Sequence, residues 1–460
     1  MKNIQLSNLP ENAHIHMVGI GGISMSALAH MLKYFGYSVS GSDRTETEIV
    51  RRLMREGIKV HIGHNAEAVE DPDLVCYTAA IPENNPELVK AKSLGIPMME
   101  RAELLGQLMK KFKFPIAVAG THGKTTTTSM LSLILLEAGL EPSILVGGEL
   151  PQIGGNYKIG NDDYLVFEAC EYVESFLHFN PFVSVITNVE EDHLDYFTDI
   201  NHIITAFQKF TRLNSPLGCI IVCSDDKNIK SVVENVEIKV VNYGMISESN
   251  DFYAKNVVIN EKGLTQLEVY AYGEYAATLE LSVHGDHNVR NALGAFAAAW
   301  QLGVDVESIK RGLESFCGTK RRFEKLGEVG GAVVIDDYAH HPTEIESTLN
   351  AAKKIAKGDV WCIFQPHTYS RTKAFTADFA KSLGLADKTI VTDVYPAREE
   401  YDGTIHSCDV VSLMKGGTYI NDSDAIKRYV LERIKPGDMI ITMGAGDIFK
   451  LGYSLVEKGE

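Results

Sequence analysis

Short apolar runs alternate with stretches whose apolar residues recur every three or four positions, and the two patterns trade places along the whole chain. The first period belongs to strands buried on both faces, the second to helices with one buried face. Strands are expected over 14–19, 37–40, 59–61 and 74–77. Helices are expected over 25–35, where Gly36 is the stop, over 49–56, and over 101–112 leading out of the region. This is the βαβ rhythm of a parallel sheet with helices on its faces.

A second unit starts at Phe114, with strands over 116–119, 164–167 and 183–187 and a long helix over 126–137. Residues 236–284 change to strands and turns, which predicts antiparallel sheet added to the parallel one; helices over 288–302 and 306–316 follow. The last third repeats the first rhythm. It has strands over 333–335, 360–364, 389–391 and 439–443 and helices over 342–356, 375–383 and 422–434. The class is therefore α/β with three domains. Residues 1–112 form a Rossmann-like parallel sheet, 113–320 a central phosphate-loop α/β domain with added antiparallel strands, and 321–460 a second Rossmann-like α/β domain. No repeat and no flexible linker is seen, so the domains are expected to abut.

Length agrees, since 460 residues at about 150 per domain suggest about three. The net charge of −17 argues against general nucleic-acid binding, because the global field repels phosphate. A phosphate-bearing ligand then needs a focused local site. Seven cysteines without a C-x-x-C pair read as small core residues in a reducing cytoplasm, with a zinc site as the weaker alternative. The N-terminus lacks the basic-then-apolar pattern of a signal peptide, and no apolar window is long enough for membrane insertion.

The sharpest motif is Gly120-Thr121-His122-Gly123-Lys124-Thr125-Thr126-Thr127, after a strand and before a helix. Its glycines let backbone N–H groups approach phosphate oxygens, and the helix N-terminus adds its positive end. Lys124 would reach the β- and γ-phosphates, and Thr125 would place its hydroxyl on magnesium. Val118 stands where the strict pattern has its first glycine, so the loop is a variant. Two later strand ends carry Glu168-Ala-Cys-Glu171 and Asn188-Val-Glu-Glu-Asp192-His193-Leu-Asp195. Ligands of open parallel sheets sit at such ends. Glu168 is the first choice for a metal carboxylate, and His193 could bind a second ion or orient the attacking group.

Gly19-Ile-Gly21-Gly22-Ile-Ser24 nearly matches G-x-G-x-x-G, and Asp43 lies 19 residues after Ser24, where a ribose-binding acid would sit. Taken alone it suggests a dinucleotide site. Asn288 and Asn291 share a helix face and could read a purine edge. Asp336-Asp337-Tyr338-Ala-His340-His341 and Phe364-Gln-Pro-His367-Thr-Tyr-Ser-Arg371 both follow buried strands. His340 and His341 are adjacent and so are not a paired metal ligand.

GTHGKTTT, the EAxE strand end, NxxxDHLD and HNxxNA together resemble the Mur ligases, ATP-dependent amide-forming enzymes of peptidoglycan precursor synthesis, over nearly the whole chain. Within them GIGGxxMS, DDYAHHPTE and FQPHTYSRT are similar to the branch that adds L-alanine to UDP-N-acetylmuramate; a branch that adds a whole tripeptide is the alternative. The resemblance implies a UDP-binding first domain, a central ATPase and a third domain that binds the amino acid and closes on ATP. Gly19, Gly21, Gly22, Ser24 and Asp43 would then hold the UDP end of the substrate. Gly120 to Thr126, His287, Asn288, Asn291, Arg322 and Asp337 would bind ATP, with Thr125, Glu168 and His193 on Mg2+. Lys124, His193, His340, His367 and Arg371 would serve the reacting groups. A monomer or weak homodimer in the bacterial cytoplasm is implied.

Two features depart from the family pattern: Cys170 stands within the EAxE strand end, and Gln208 where several members carry a modified lysine. The chemistry is consistent with ligation, since ATP can turn an inert carboxylate into an acyl phosphate that an amine attacks. His193, His340 and His367 are rival bases for that amine. Two other classes remain, a nicotinamide dehydrogenase on the first glycine loop and a phosphate-loop ATPase acting on a protein partner. Each leaves one of the glycine motifs unexplained.

Overall fold

A computed structural model describes residues 4–78, 80–397 and 399–457. The chain builds three sheets in sequence order. The first has five parallel strands, with His14–Val18 between Ser38–Asp43 and Leu74–Tyr77, then Lys59–Ile62 and Met98–Glu100 at its edges. Its helices Ile23–Tyr34, Glu48–Arg55 and Pro86–Leu94 cover both faces. The expected helix over 101–112 is α-helical only over Arg101–Leu108 and tightens to a 3-10 turn over Met109–Lys111.

The central sheet has ten strands. Phe114–Ala119 lies between Tyr164–Glu168 and Val183–Ile186, all three parallel, so their carboxyl ends open on one crevice. Cys219–Cys223 and Lys239–Gly244 continue the parallel run. The expectation of antiparallel sheet over 236–284 holds from Phe252 to Leu281 and is corrected only for Lys239–Gly244. Lys239–Gly244 is parallel to its neighbour, and Phe252–Ile259 joins it in parallel before turning into the antiparallel ladder with Thr265–Ala271 and Glu274–Leu281. Apolar period alone does not distinguish the two directions. Helices Lys124–Glu137, Asp286–Gln301 and Val306–Glu314 bury one face of this sheet. Its other face shares a core with the first domain, where Met17, Leu105, Phe167 and Phe176 all belong to one buried cluster.

The third sheet has five parallel strands, with Met439–Met443 between Ala332–Asp337 and Val360–Phe364, and one antiparallel edge strand, Glu324–Val329. Apolar cores lie on both of its faces. Among the described residues no helix is long and apolar enough to cross a membrane.

The cysteine expectation holds for Cys76, Cys219, Cys223 and Cys362, which are buried; burial pushes the Cys219 thiol up to about 11 and the Cys223 thiol up to about 12. It is corrected for Cys317 and Cys408, which are exposed just after one helix and at the start of another, and for Cys170, half-buried at a strand end.

The first two domains do abut. Tyr157 on the edge strand Gly155–Lys158 stacks on His30 at 4.5 Å and lies under the Arg52 guanidinium at 5.2 Å, while the Asn156 amide donates to the Ile23 carbonyl at 3.0 Å. Helix Arg101–Leu108 lies on the 3-10 segment Tyr172–His178 with Gly106 at the point of contact, where a Cβ would press into the His178 carbonyl. Gly106→Ala should therefore destabilise the chain by about 1–3 kcal/mol through overpacking. Chemical denaturation checks it, and an unchanged midpoint would contradict this packing.

Candidate active site at the junction of the central and C-terminal sheets

Gly120 (φ +130°) and Gly123 (φ +84°) let the chain turn tightly between Phe114–Ala119 and Lys124–Glu137. A Cβ on Gly120 would strike the Thr187 hydroxyl, and one on Gly123 the Asn291 amide, so both positions need glycine. The loop is tied to the neighbouring strand end. Asn188 Oδ1 accepts the His122 N–H at 2.8 Å, and the Asn188 amide donates back to the His122 carbonyl at 3.0 Å. The Glu190 N–H donates to the Thr121 hydroxyl at 2.9 Å.

Lys124 turns back over this loop, donating to the Gly120 carbonyl, to the Thr121 carbonyl at 3.1 Å and to Glu171 at 3.0 Å. Burial works against the ammonium charge, but the Glu171 carboxylate outweighs it and holds the pKa above the ordinary lysine value. Beside it the Thr125 hydroxyl donates to Glu168 at 3.1 Å, and the other Glu168 oxygen accepts the Gly147 N–H at 2.5 Å. A hydroxyl and a carboxylate side by side are the hard oxygen donors that magnesium prefers, so Thr125 and Glu168 fit that ion. His193 lies in the segment after strand Val183–Ile186. It has φ +53°, its ring lies against Tyr172 at 4.6 Å, and its nearest carboxylate is Asp192 at 3.9 Å. Among the described residues, the one group of three or more His, Cys, Asp or Glu with ligand atoms close together is His122, Glu190 and His341.

The C-terminal domain forms the opposite wall. His341 caps helix Pro342–Ile355, and Glu344 completes the capping box by accepting the His341 N–H at 3.2 Å. Glu344 also takes the His340 N–H at 2.9 Å and reaches His122 of the phosphate loop at 3.1 Å. Burial alone would raise its pKa, but His340, His122 and Arg322 around it hold the carboxyl well below the usual range. In the other direction, Asp192 of the central domain accepts from Arg371 at 2.7 Å (Nη2) and 3.2 Å (Nε). Both side chains are under a tenth exposed. Burial opposes the Asp192 charge, and Arg371 more than compensates, keeping the carboxyl ionised.

Arg371 stands 3.4 Å from His367 Nδ1, and the His367 ring stacks on Tyr395 and faces His340 edge-on. Burial lowers His340 to about 4, so its ring is neutral near pH 7. Its Nδ1 lies 2.9 Å from the Tyr338 carbonyl, which can only accept, so Nδ1 carries the proton and Nε2 a lone pair.

Between the two walls lies a cleft of about 920 Å3 whose lining includes Gly123, His287, Asn288, Asn291, Arg322 and Asp337. Burial raises Asp337 to about 6 despite Arg322 nearby, and the carboxylate takes the Ala339 and Phe323 N–H groups at 2.7 and 2.8 Å. Burial lowers His287 to about 4, so it too is neutral near pH 7. Both asparagine amides hydrogen-bond within the protein, each through one N–H, which leaves each a second N–H for a purine edge. Asn288 donates to the His284 carbonyl at 2.8 Å, and Asn291 donates to Asn288 and accepts from Thr127. Asn291 sits directly against Gly123 and braces the phosphate loop.

The first glycine loop lies apart from this cleft, in the N-terminal domain. Gly19 has φ +79°, and Gly21 has no room for a Cβ, which would come within 2.6 Å of Val50 and 2.8 Å of Asp43. Asp43 accepts the Gly21 N–H at 2.9 Å, so it holds the loop in shape. Gly22 caps helix Ile23–Tyr34, and Ser24 is exposed in its first turn.

Sequence reasoning singled out the cations and histidines and passed over their partners: Glu171 for Lys124, Asp192 for Arg371, Glu344 for His122. The acids were visible in the same motifs, but nothing in a linear pattern pairs residues 179 positions apart, as Asp192 and Arg371 are.

Three family descriptions match in chain order: Mur ligase family, catalytic domain, over 14–113; Mur ligase middle domain over 118–299; and Mur ligase, glutamate ligase domain, over 321–446. The chain is 48% identical over 454 residues to the UDP-N-acetylmuramate–L-alanine ligase of Acetivibrio thermocellus, covering 97% of each. It is 48% identical over 446 residues to the ligase of the same name from Alkaliphilus metalliredigens, covering 96% of this chain and 97% of that one. The crystal structure of UDP-N-acetylmuramate–alanine ligase from Thermotoga maritima superposes with a TM-score of 0.80 at 31% identity, covering 97% and 99% of the two chains. A murein peptide ligase from Psychrobacter arcticus superposes at 0.72 with 28% identity, covering 97% and 98%. With relatives this similar along nearly its full length, and with the phosphate loop facing a C-terminal wall, the chain belongs to the Mur ligase family.

Proposed function

We propose that this chain uses ATP to join the carboxylate of UDP-N-acetylmuramate to the amino group of L-alanine, giving ADP and phosphate, in peptidoglycan precursor synthesis. The observation that carries this reading is the full-length kinship to ligases of that name, combined with a cleft where His122 of the phosphate loop meets Glu344 of DDYAHHPTE while Arg371 of FQPHTYSRT meets Asp192. The three domains divide the work as residues 1–112, 113–320 and 321–460, with the UDP end of the substrate on the first glycine loop, around Gly19 to Ser24 and Asp43.

In this reading Lys124 exchanges Glu171 and the loop carbonyls for phosphate oxygens when ATP arrives, keeping its charge throughout. Arg322, Asp337 and His287 line the nucleotide side. Magnesium held by Thr125 and Glu168 would offset charge on the phosphate oxygens. His193, in the segment after strand Val183–Ile186, would bind a second ion or orient the attacking group. The muramate carboxylate attacks the terminal phosphorus, giving an acyl phosphate and ADP. The alanine nitrogen then attacks the acyl carbon and phosphate leaves. Among the three histidines, His340 is best prepared to take the amine's proton, because its tautomer leaves Nε2 as the acceptor and burial keeps it neutral. The phosphates' negative charge would raise its basicity when they bind. Arg371 and His367, held beside it, would neutralise the transferring group and the alanine carboxylate.

Phosphate release from ATP with UDP-N-acetylmuramate present tests the step. Release that depends on L-alanine, with the matching amide by mass spectrometry, is expected. Turnover supported by the tripeptide alone would assign the recycling branch, and release indifferent to both would remove the ligase reading. Replacing Lys124 alone strands a buried Glu171, so Lys124→Ala should lose about 3–5 kcal/mol of stability. The pair Lys124→Ala with Glu171→Gln should melt near the parent and lose kcat by at least about 100-fold; near-normal turnover would contradict the role of Lys124. Arg371→Lys replaces two fixed guanidinium donors on Asp192 by one flexible ammonium and should lower kcat/KM by about tenfold or more, roughly 1.4 kcal/mol. Steady-state kinetics against alanine read that loss.

A further inference from the structure

His122, Glu190 and His341 present ligand atoms that all lie within 4.8 Å of one another. The ligation steps above use none of these three side chains, and His122 serves the phosphate loop through its backbone. His122 and Glu190 come from the central domain and His341 from the cap of the C-terminal helix Pro342–Ile355. The His122 Nδ1 is 3.1 Å from Glu344, whose carboxylate can only accept, so Nδ1 carries the proton. That leaves His122 Nε2 as a buried atom without a hydrogen-bond partner, 3.7 Å from Glu190. A carboxylate behind a histidine that offers its other nitrogen is the outer-shell arrangement found around metal ligands.

The other two members are oriented in the same way. Glu190 accepts the Thr343 hydroxyl at 2.6 Å, which fixes its carboxylate. His341 Nε2 lies 2.9 Å from the Glu191 carbonyl, so Nδ1 is its lone-pair atom, engaged only by a long 3.4 Å contact from the Thr343 N–H. The His122 and His341 rings are 4.7 Å apart.

We propose that His122, Glu190 and His341 form a binding site for a zinc-class divalent ion, closed across the junction of the central and C-terminal domains. Two imidazole nitrogens and one carboxylate oxygen suit zinc, whereas magnesium prefers oxygen throughout. Tetrahedral bonds of about 2.0–2.2 Å place two donors about 3.4 Å apart, so a present spacing of up to 4.8 Å closes with a shift of about 1.5 Å. Three protein ligands leave a fourth position open toward the cleft. Binding forms three coordination bonds, strips water from the ion and releases any proton held at His122 Nε2. Because the ligands come from two domains, a bound ion holds the junction shut and acts as a brake on its opening.

The test uses the full chain carrying Cys317→Ser and Cys408→Ser, since the two exposed thiols would themselves take up zinc. Zinc is titrated against a chromophoric chelator, with thermal unfolding followed in parallel. The parent should bind one ion per chain at micromolar affinity, undisturbed by millimolar magnesium, and its melting temperature should rise. Glu190→Gln and His341→Asn should each weaken binding by at least about tenfold and abolish the thermal shift. Asparagine keeps a side chain able to cap the helix, so a loss in that variant reports the ligand. No uptake by the parent, or equal uptake by both variants, overturns the site.

Discussion

A carboxylate taken out of water has to find a cation or hydrogen-bond donors, or the structure that buries it does not hold. Two such carboxylates cross the junction in opposite directions. Asp192 leaves the central domain to meet Arg371, and Glu344 leaves the C-terminal domain to meet His122. Each domain thus completes the other's buried charge. The Glu344–His122 contact lies on the wall of the cleft, which opens beside the phosphate loop. Separating the domains would break both exchanges at once.

The same logic runs inside the central domain on a smaller scale. Lys124 has a place waiting among the Gly120 and Thr121 carbonyls and Glu171. A buried ammonium would otherwise lose its proton or refuse burial. The loop that holds it has no slack, because Thr187 and Asn291 occupy the volumes that side chains at positions 120 and 123 would need. Asn188 fastens the loop backbone from the next strand end. The phosphate site is thus set by three elements that converge because parallel strands bring their carboxyl ends to one side.

What the sequence made legible is what depends on near neighbours. The strand–glycine loop–helix unit around Gly120 to Lys124 was readable because turn, cap and helix start occupy consecutive residues. The buried strands at 74–77, 360–364 and 439–443 were readable because each is a bounded apolar run. The edge hairpin of Ser143–Leu150 and Gly155–Lys158 was not, since its glycines break any alternation and a register shift interrupts its pairing. The antiparallel ladder over 252–281 was readable, whereas the parallel direction of Lys239–Gly244 was not, since an apolar run carries no directional signal. At the site, the cations and histidines announced themselves by motif. Their acidic partners did not, because such pairing is decided by tertiary distance, as between Lys124 and Glu171, 47 positions apart. His122 was read as part of a phosphate loop, and only the fold shows its ring turned toward the opposite domain.

The central claim is that this cleft activates a carboxylate by phosphoryl transfer before the amide forms. Positional isotope transfer tests it most directly. UDP-N-acetylmuramate carrying oxygen-18 in its carboxylate is turned over with ATP and L-alanine, and the released phosphate is analysed by mass spectrometry. One labelled oxygen per phosphate is the result the account predicts, because the oxygen that attacks the terminal phosphorus departs with it. Unlabelled phosphate, formed alongside the amide at the same rate, would contradict it.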